Sequence, residues 1–239
     1  PEHYYVGYAW YRHNAEIPRM WKKNRVILFL ERPHIETTVF VNGKEVGHQM
    51  SLSVPHEYDI TDYVKFGKNN SIAIKIYNGI ENVGVGQDSH SVTDQTQGNW
   101  NGIVGKIELR SQKSIFTVKT FPDLTTGNVK VLVNDKEYNL KIDNPQPWSE
   151  FTPILYTRSI VYRGDTIPVT FGFRKIEVKG RDIMLNGRPI YVRGTVENCN
   201  FPLTGYPPTD VESWKKIIQK CKDYGINTMR FHSYCPPEA

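Results

Sequence analysis

From Trp10 to about Leu109 the sequence is a succession of short β-type runs broken by turn residues, and none of it carries the apolar period of a helix. Ser71 to Tyr77 shows the pattern most cleanly: Ile72, Ile74 and Ile76 fall on one face, Ser71, Ala73 and Lys75 on the other. Strand side chains alternate with a period of two, so one face of this segment belongs to a core. Val26 to Glu31 is an apolar run, and Ile35 to Val41 follows it as a further strand candidate. Asn42-Gly43 follows, the dipeptide suited to a type I′ hairpin turn because both central positions need positive φ, and Val46 continues the partner strand. Ile103, Val104, Ile107 and Leu109 read as a closing strand. The first domain is expected to be an all-β sandwich or jelly roll.

From Ser114 to about Val178 further strands are expected at Ile115 to Val118, Val129 to Val133, Tyr138 to Ile142, Ile154 to Tyr162 and Val169 to Phe173. They suggest a second, shorter sandwich, immunoglobulin-like but below the ~100 residues typical of that fold. Beyond it the texture changes. Asn186-Gly187 marks a hairpin and Ile190 to Arg193 a short strand. A helix then follows, with Thr209 and Glu212 at capping-box spacing, Val211, Trp214, Ile217, Ile218 and Cys221 on one face, and Gly225 placed to end it. Ile226 to Phe231 is the next expected strand. Strand, crossover helix and strand are how a (β/α) barrel begins, and a whole barrel takes ~250 residues. The division expected is therefore 1–112, 113–178 and 179–239.

Composition narrows the class. The 239 residues suit about two domains or part of a larger protein, and 38% hydrophobic residues suffice for a core. The net charge of +5 is spread along the chain; Lys22-Lys23 and Lys215-Lys216 read as solvated faces, and no nucleic-acid-binding motif accompanies them. No run approaches the ~20 apolar residues of a membrane span, and the opening Pro-Glu-His-Tyr-Tyr lacks signal-peptide shape. Tyr4, Tyr5, Val6, Tyr8 and Trp10 are strand-like from the start, so the chain reads as opening inside a domain. Cys199, Cys221 and Cys235 are odd in number and form no complete disulfide framework. Cys235 with His232 is a conceivable dyad or metal pair, but no ligand set with zinc spacing stands beside it. Neither a metal nor an organic cofactor is indicated.

The motifs converge when taken in order. Ala9-Trp10-Tyr11-Arg12 with Ile17-Pro18, Val39-Phe40-Val41-Asn42-Gly43-Lys44, Tyr58-Asp59-Ile60-Thr61-Asp62-Tyr63-Val64 and Asn99-Trp100-Asn101-Gly102-Ile103-Val104-Gly105 resemble the sugar-binding jelly roll of glycoside hydrolase family two, the family of β-galactosidases and β-glucuronidases. Pro147-Trp148, Pro153-Ile154-Leu155-Tyr156 and Phe171-Gly172-Phe173-Arg174 resemble its immunoglobulin-like domain. Leu185-Asn186-Gly187-Arg188-Pro189-Ile190-Tyr191-Val192-Arg193-Gly194 and Gly225-Ile226-Asn227-Thr228-Met229-Arg230 resemble the opening of its catalytic barrel. The family's Ser-His-Tyr-Pro is here Phe231-His232-Ser233-Tyr234-Cys235-Pro236, with the histidine one place early.

The resemblance implies the front part of an exo-acting retaining glycosidase. Retention needs two carboxyl groups ~5–5.5 Å apart, an acid/base and a nucleophile. The family places both glutamates on later barrel strands, beyond Ala239, so the resemblance implies a fragment without catalytic residues. Glu197 and Glu238 match neither position and suit structural or substrate-positioning roles. Arg230 and His232, near the carboxyl end of the second barrel strand, can hydrogen-bond a sugar; equally, Arg230 can order neighbouring strands and His232 cap a loop. Glu197 and Asn198 are further substrate-binding candidates, and Trp100 offers a ring for sugar stacking or for core packing. The loop from Asn82 to Gln97, with Gly84-Val85-Gly86, lacks the setting of a phosphate loop. The partner implied is carbohydrate, and a pI of 9.0 suits acidic glycans such as uronides. A homo-oligomer and a periplasmic or extracellular setting accompany that implication. A non-catalytic carbohydrate-binding module and a structural or oligomerisation sandwich remain the alternatives.

Overall fold

A computed structural model describes residues 5–52, 54–86, 101–112, 117–232 and 234–239. The chain divides into two compact units, one of Pro1–Lys113 with Gly194–Ala239 and one of Ser114–Arg193. Strands dominate both, and helix is sparse.

The first unit is organised by one strand. β1 (Tyr8–Glu16) precedes β2 (Arg25–Val41), which is 17 residues long; β3 (Lys44–Ser51), β4 (His56–Asp59), β5 (Asn69–Tyr77) and β6 (Gly102–Gln112) follow. The second half of β2 pairs with β3 and β5, and β5 pairs with β1. The first half pairs with β4 and β6. Both sheets are antiparallel and share β2. The sequence had suggested two strands here, Val26 to Glu31 and Ile35 to Val41. The chain instead passes through Arg32, Pro33 and His34 without a turn, and the β2–β6 register shifts between Leu30 and Arg32. A bulge of this kind bends a strand, which lets one segment serve two sheets.

Val26, Leu28 and Leu30 from one half of β2 and Val39 and Val41 from the other meet Ile17, Tyr58, Ile60, Ile72 and Ile74 in a common core. A polar trio lies within it. Thr37 Oγ1 is 2.6 Å from His56 Nδ1 and 2.7 Å from the Tyr58 hydroxyl, which donates to the Thr37 carbonyl at 2.8 Å. The turn at Asn42-Gly43 has φ of 52° and 79°, as the hairpin reading required. Asn42 also donates its side-chain amide to the Tyr63 carbonyl at 2.9 Å, tying the hairpin to the loop before β5.

In the second unit β7 (Val118–Pro122), β8 (Asn128–Val133) and β9 (Lys136–Lys141) form one antiparallel sheet, and β10 (Tyr156–Tyr162) and β11 (Asp165–Phe171) a hairpin. Val129, Val131 and Val133 pack with Ile160, Tyr162, Ile167, Val169, Phe171 and Phe173, so the two layers form a small sandwich. β12 (Ile176–Lys179), β13 (Asp182–Leu185) and β14 (Arg188–Pro189) follow. Asn186, at φ 49° in the second hairpin, donates its side-chain amide to the carbonyls of Trp148 and Phe173, both at 3.1 Å. The hairpin expected to open the barrel is thus bonded into the small sandwich.

The chain then returns to the first unit with β15 (Gly194–Glu197), α1 (Val211–Asp223) and β16 (Thr228–Phe231), the two strands being parallel. The sequence had placed the first of these strands at Ile190 to Arg193. Ile190 is held instead by a backbone bond to Ile183 at 2.8 Å, and the parallel ladder begins at Gly194 opposite Thr228. The cap of α1 is also one place later than expected. Asp210 Oδ1 accepts from the Ser213 amide at 2.8 Å, which puts Glu212 too close to the cap to reach back in a capping box; it pairs with Lys215 at 2.8 Å. Gly225, at φ 71°, ends the helix in a Schellman motif: its amide bonds the Lys222 carbonyl at 2.9 Å and that of Ile226 the Cys221 carbonyl at 3.0 Å.

Candidate functional site

Parallel strands joined by a helix leave their carboxyl ends side by side, where α/β folds build sites. Here those ends are joined directly: the His232 amide donates to the Glu197 carbonyl at 2.8 Å. Four of the five sequence candidates, Glu197, Asn198, Arg230 and His232, therefore lie at this edge. The ladder also separates them. Arg230 is paired with Val196, both exposed, whereas Glu197 is paired with Phe231 on the opposite, inward face. The fifth candidate, Trp100, lies outside the described residues.

The inward side is an aromatic stack. Phe201 meets Trp214 edge-on at 6.2 Å between centroids, Trp214 meets Phe231 at 5.9 Å, and Phe231 meets Tyr234 at 5.6 Å. Trp214 is buried because α1 lays it across the strands, and its indole N–H donates to the Pro208 carbonyl at 2.7 Å. Edge-to-face contacts of this kind fix ring orientation as well as burying area.

Glu197 closes the turn after β15. Its Oε1 accepts from the Cys199 amide at 2.9 Å, and Cys199 sits in the left-handed region at φ 57°. A non-glycine residue there is strained, and the carboxylate supplies the bond that holds it. Burial pushes the Glu197 carboxyl above its ordinary range, against the pull of the Cys199 amide. Burial likewise pushes the Cys199 thiol up to about 12, with Glu197 adding to the effect, so this cysteine is not a nucleophile near neutral pH. Among the described residues no group of His, Cys, Asp and Glu is placed to hold a metal ion.

Four residues that the sequence reading passed over, Glu31, Arg32, Lys106 and Arg110, hold or face the segment that follows β16. Glu31 and Arg32 on β2 are fully buried charges. Glu31 Oε2 accepts from the Lys106 amide at 2.8 Å and its Oε1 from the Glu238 amide at 3.0 Å. Desolvation lowers the Arg32 guanidinium, against the pull of Cys235, Glu31 and Cys199. Arg110 lies over the Phe29 ring at 3.5 Å and reaches Glu238 Oε2 at 3.1 Å, as does Lys106. Hydrogen bonds from Lys106 and then Arg110 hold the Glu238 carboxyl below its ordinary range. Glu238 is therefore a structural clamp. The available signal was the pair of charges at the end of an apolar strand run, a placement that requires partners.

Family comparison fits this architecture. A model described as the glycosyl hydrolases family 2 sugar binding domain matches residues 2–113, and one described as glycosyl hydrolases family 2 matches residues 64–174. A β-galactosidase of Thermoanaerobacter pseudethanolicus is 24% identical, covering 98% of this chain and 38% of its own length. A putative β-glucuronidase of Formosa agariphila is 26% identical, covering 97% and 26%. Among solved structures, a Ruminococcus gnavus β-glucuronidase superposes with a TM-score of 0.78 at 20% identity, covering 98% of this chain and 46% of its own. The chain spans less than half the length of these relatives.

Proposed function

The chain belongs to glycosyl hydrolases family 2, and we propose that it is the front part of an enzyme that hydrolyses the O-glycosidic bond of a terminal sugar with retention of configuration. The observation that carries this reading is the succession of the two family models over residues 2–174, followed by a parallel strand pair with its crossover helix. On this reading β15, α1 and β16 are the first elements of a (β/α)8 barrel, whose active site gathers at the carboxyl ends of its strands.

On this reading the residues at the strand ends take the following roles. Arg230, exposed on the ladder, faces the substrate side and hydrogen-bonds hydroxyl or carboxylate groups of the sugar, with His232 beside it. Asn198 is exposed and adds a contact, while Glu197 is a positioning residue that shapes the turn through Cys199. The two glutamates that would act as acid/base and nucleophile are assigned to later barrel strands. The 239-residue chain is therefore inactive by itself.

Aryl galactoside, glucuronide, mannoside and arabinoside assayed with this chain, and with the protein extended through a full barrel, test the reading. Cleavage by the extended protein alone supports it and names the sugar. Cleavage by the short chain overturns the placement of the carboxylates.

A further inference from the structure

The outer face of the sheet formed by β1, β5, β2 and β3 is uncovered among the described residues, and its register makes it a patterned surface. Tyr8 lies opposite Tyr77, Trp10 opposite Lys75 and Arg12 opposite Ala73; Phe40 flanks Ala73 on the other side. The rings are in contact: Tyr8 and Tyr77 at 4.5 Å between centroids, Trp10 and Phe40 at 5.7 Å. Trp10 is nevertheless 49% exposed and Tyr8 54%. Ala73, between Arg12 and Phe40, leaves a shallow floor beside the indole.

Charge adds a second observation. Arg12 lies over the Trp10 ring at 5.6 Å and Lys75 over the Tyr8 ring at 3.9 Å, and among the described residues neither ends on a carboxylate. Glu16, at the far end of β1, and Glu45, opposite Phe40, lie at the rim of this face, while the carboxylates beside the Tyr8–Tyr77 pair are engaged. Glu36 takes His48 at 3.2 Å and the Asn82 side-chain amide at 2.9 Å, and Glu81 takes the Tyr77 hydroxyl. Beside Trp10 and Tyr8 the face thus offers flat apolar rings flanked by two cations that meet no carboxylate among the described residues. Exposed rings interleaved with cations suit a ligand that is apolar on one face, polar at its rim and acidic.

We propose that this face is a binding platform for an acidic glycan, whose sugar ring stacks on Trp10 beside the Tyr8–Tyr77 pair while its carboxylate or sulfate groups meet Arg12 and Lys75. The platform goes beyond the hydrolase reading and stands without it, since polymer binding is measured apart from bond cleavage. In a whole enzyme it would hold a polymeric substrate by a part of the chain remote from its reacting end.

Affinity electrophoresis of the 239-residue chain in gels containing polygalacturonate, a sulfated galactan or a neutral galactan tests the proposal, with polyglutamate as a non-sugar polyanion. Retardation by one or both acidic glycans is expected, the responsive polymer naming the anion, with little retardation by the neutral galactan or polyglutamate. Trp10→Ala is expected to weaken binding about tenfold, the loss of one good stacking contact. Arg12→Gln with Lys75→Gln is expected to weaken it similarly and to remove its salt dependence, while Lys215→Gln with Lys216→Gln leaves it unchanged. An unaltered melting temperature shows that each variant is folded. Equal retardation by polyglutamate, binding untouched by Trp10→Ala, or no retardation by either acidic glycan overturns the proposal. So does a dimer that Trp10→Ala converts to monomer without any glycan effect.

Discussion

The sandwich has two outer faces, and they are finished in different ways. Along the first half of β2, residues Val26 to Ile35 are buried without alternation, because Phe29 lies beneath Arg110 and Glu31 beneath the backbone of residue 238. Along the second half burial alternates, and Phe40, Thr38 and Glu36 look outward onto an open sheet. One strand, in one chain, thus carries both the signature of a covered layer and that of an exposed one. A continuous apolar run in an antiparallel sandwich is therefore a sign that a third layer is present.

Leu30 provides the reference for this contrast, since it faces the core shared by both sheets and is fully buried. Leu30→Ala is expected to cost about 4 kcal/mol in urea unfolding. His56, buried within the same core, is held down at about 4 from an ordinary 6.5 by burial, with His48 adding to the effect. The unfolded chain takes up a proton near 6.5 that the folded chain refuses, so the stability from this group is complete above that pH. It falls as pH drops from 6.5 towards 4, by about 3 kcal/mol. His56→Gln should flatten that part of the stability profile; a profile that keeps its full slope would reassign the effect.

Glu31→Ala attacks the covered face alone. Two partly buried amides lose their acceptor, for an expected loss of about 2 kcal/mol. Hydrogen exchange should quicken at the amides of Lys106 and Glu238 and stay unchanged along β5; a uniform increase would mean that the two faces are not independent. The smallest effect is expected at the rim, where Arg110→Gln removes a partly exposed pair with Glu238 and costs about 0.5 kcal/mol.

How much of this was legible depended on the range of the interactions. Ser71 to Tyr77, the turn at Asn42-Gly43 and the helix stop at Gly225 were readable because their causes are local: alternation, positive φ and a missing Cβ. The Arg163-Gly164 turn, with φ of 50° and 87°, has the same geometry as Asn42-Gly43 but begins with a residue type that rarely signals it. The position of β15 was misplaced by four residues because a parallel register is set by a partner far along the sequence, here Thr228 for Gly194. At the candidate site, Glu197 and His232 were named from the resemblance and do meet through their backbones. That Arg230 and Glu197 fall on opposite faces became visible only with the ladder. The bond from Glu238 to Glu31 spans 207 residues, and no local pattern announces it.

That bond also sets an order of events on the ribosome. Residues 114–193 form a unit of their own within the sequence of the first, so they are synthesised after β2 has emerged and before residue 238 exists. Until then Glu31 accepts from the Lys106 amide but not from that of Glu238. Nascent β2 therefore waits, while 207 further residues are made, with one oxygen of a buried charged side chain still lacking its partner, an interval in which that surface is exposed to wrong contacts.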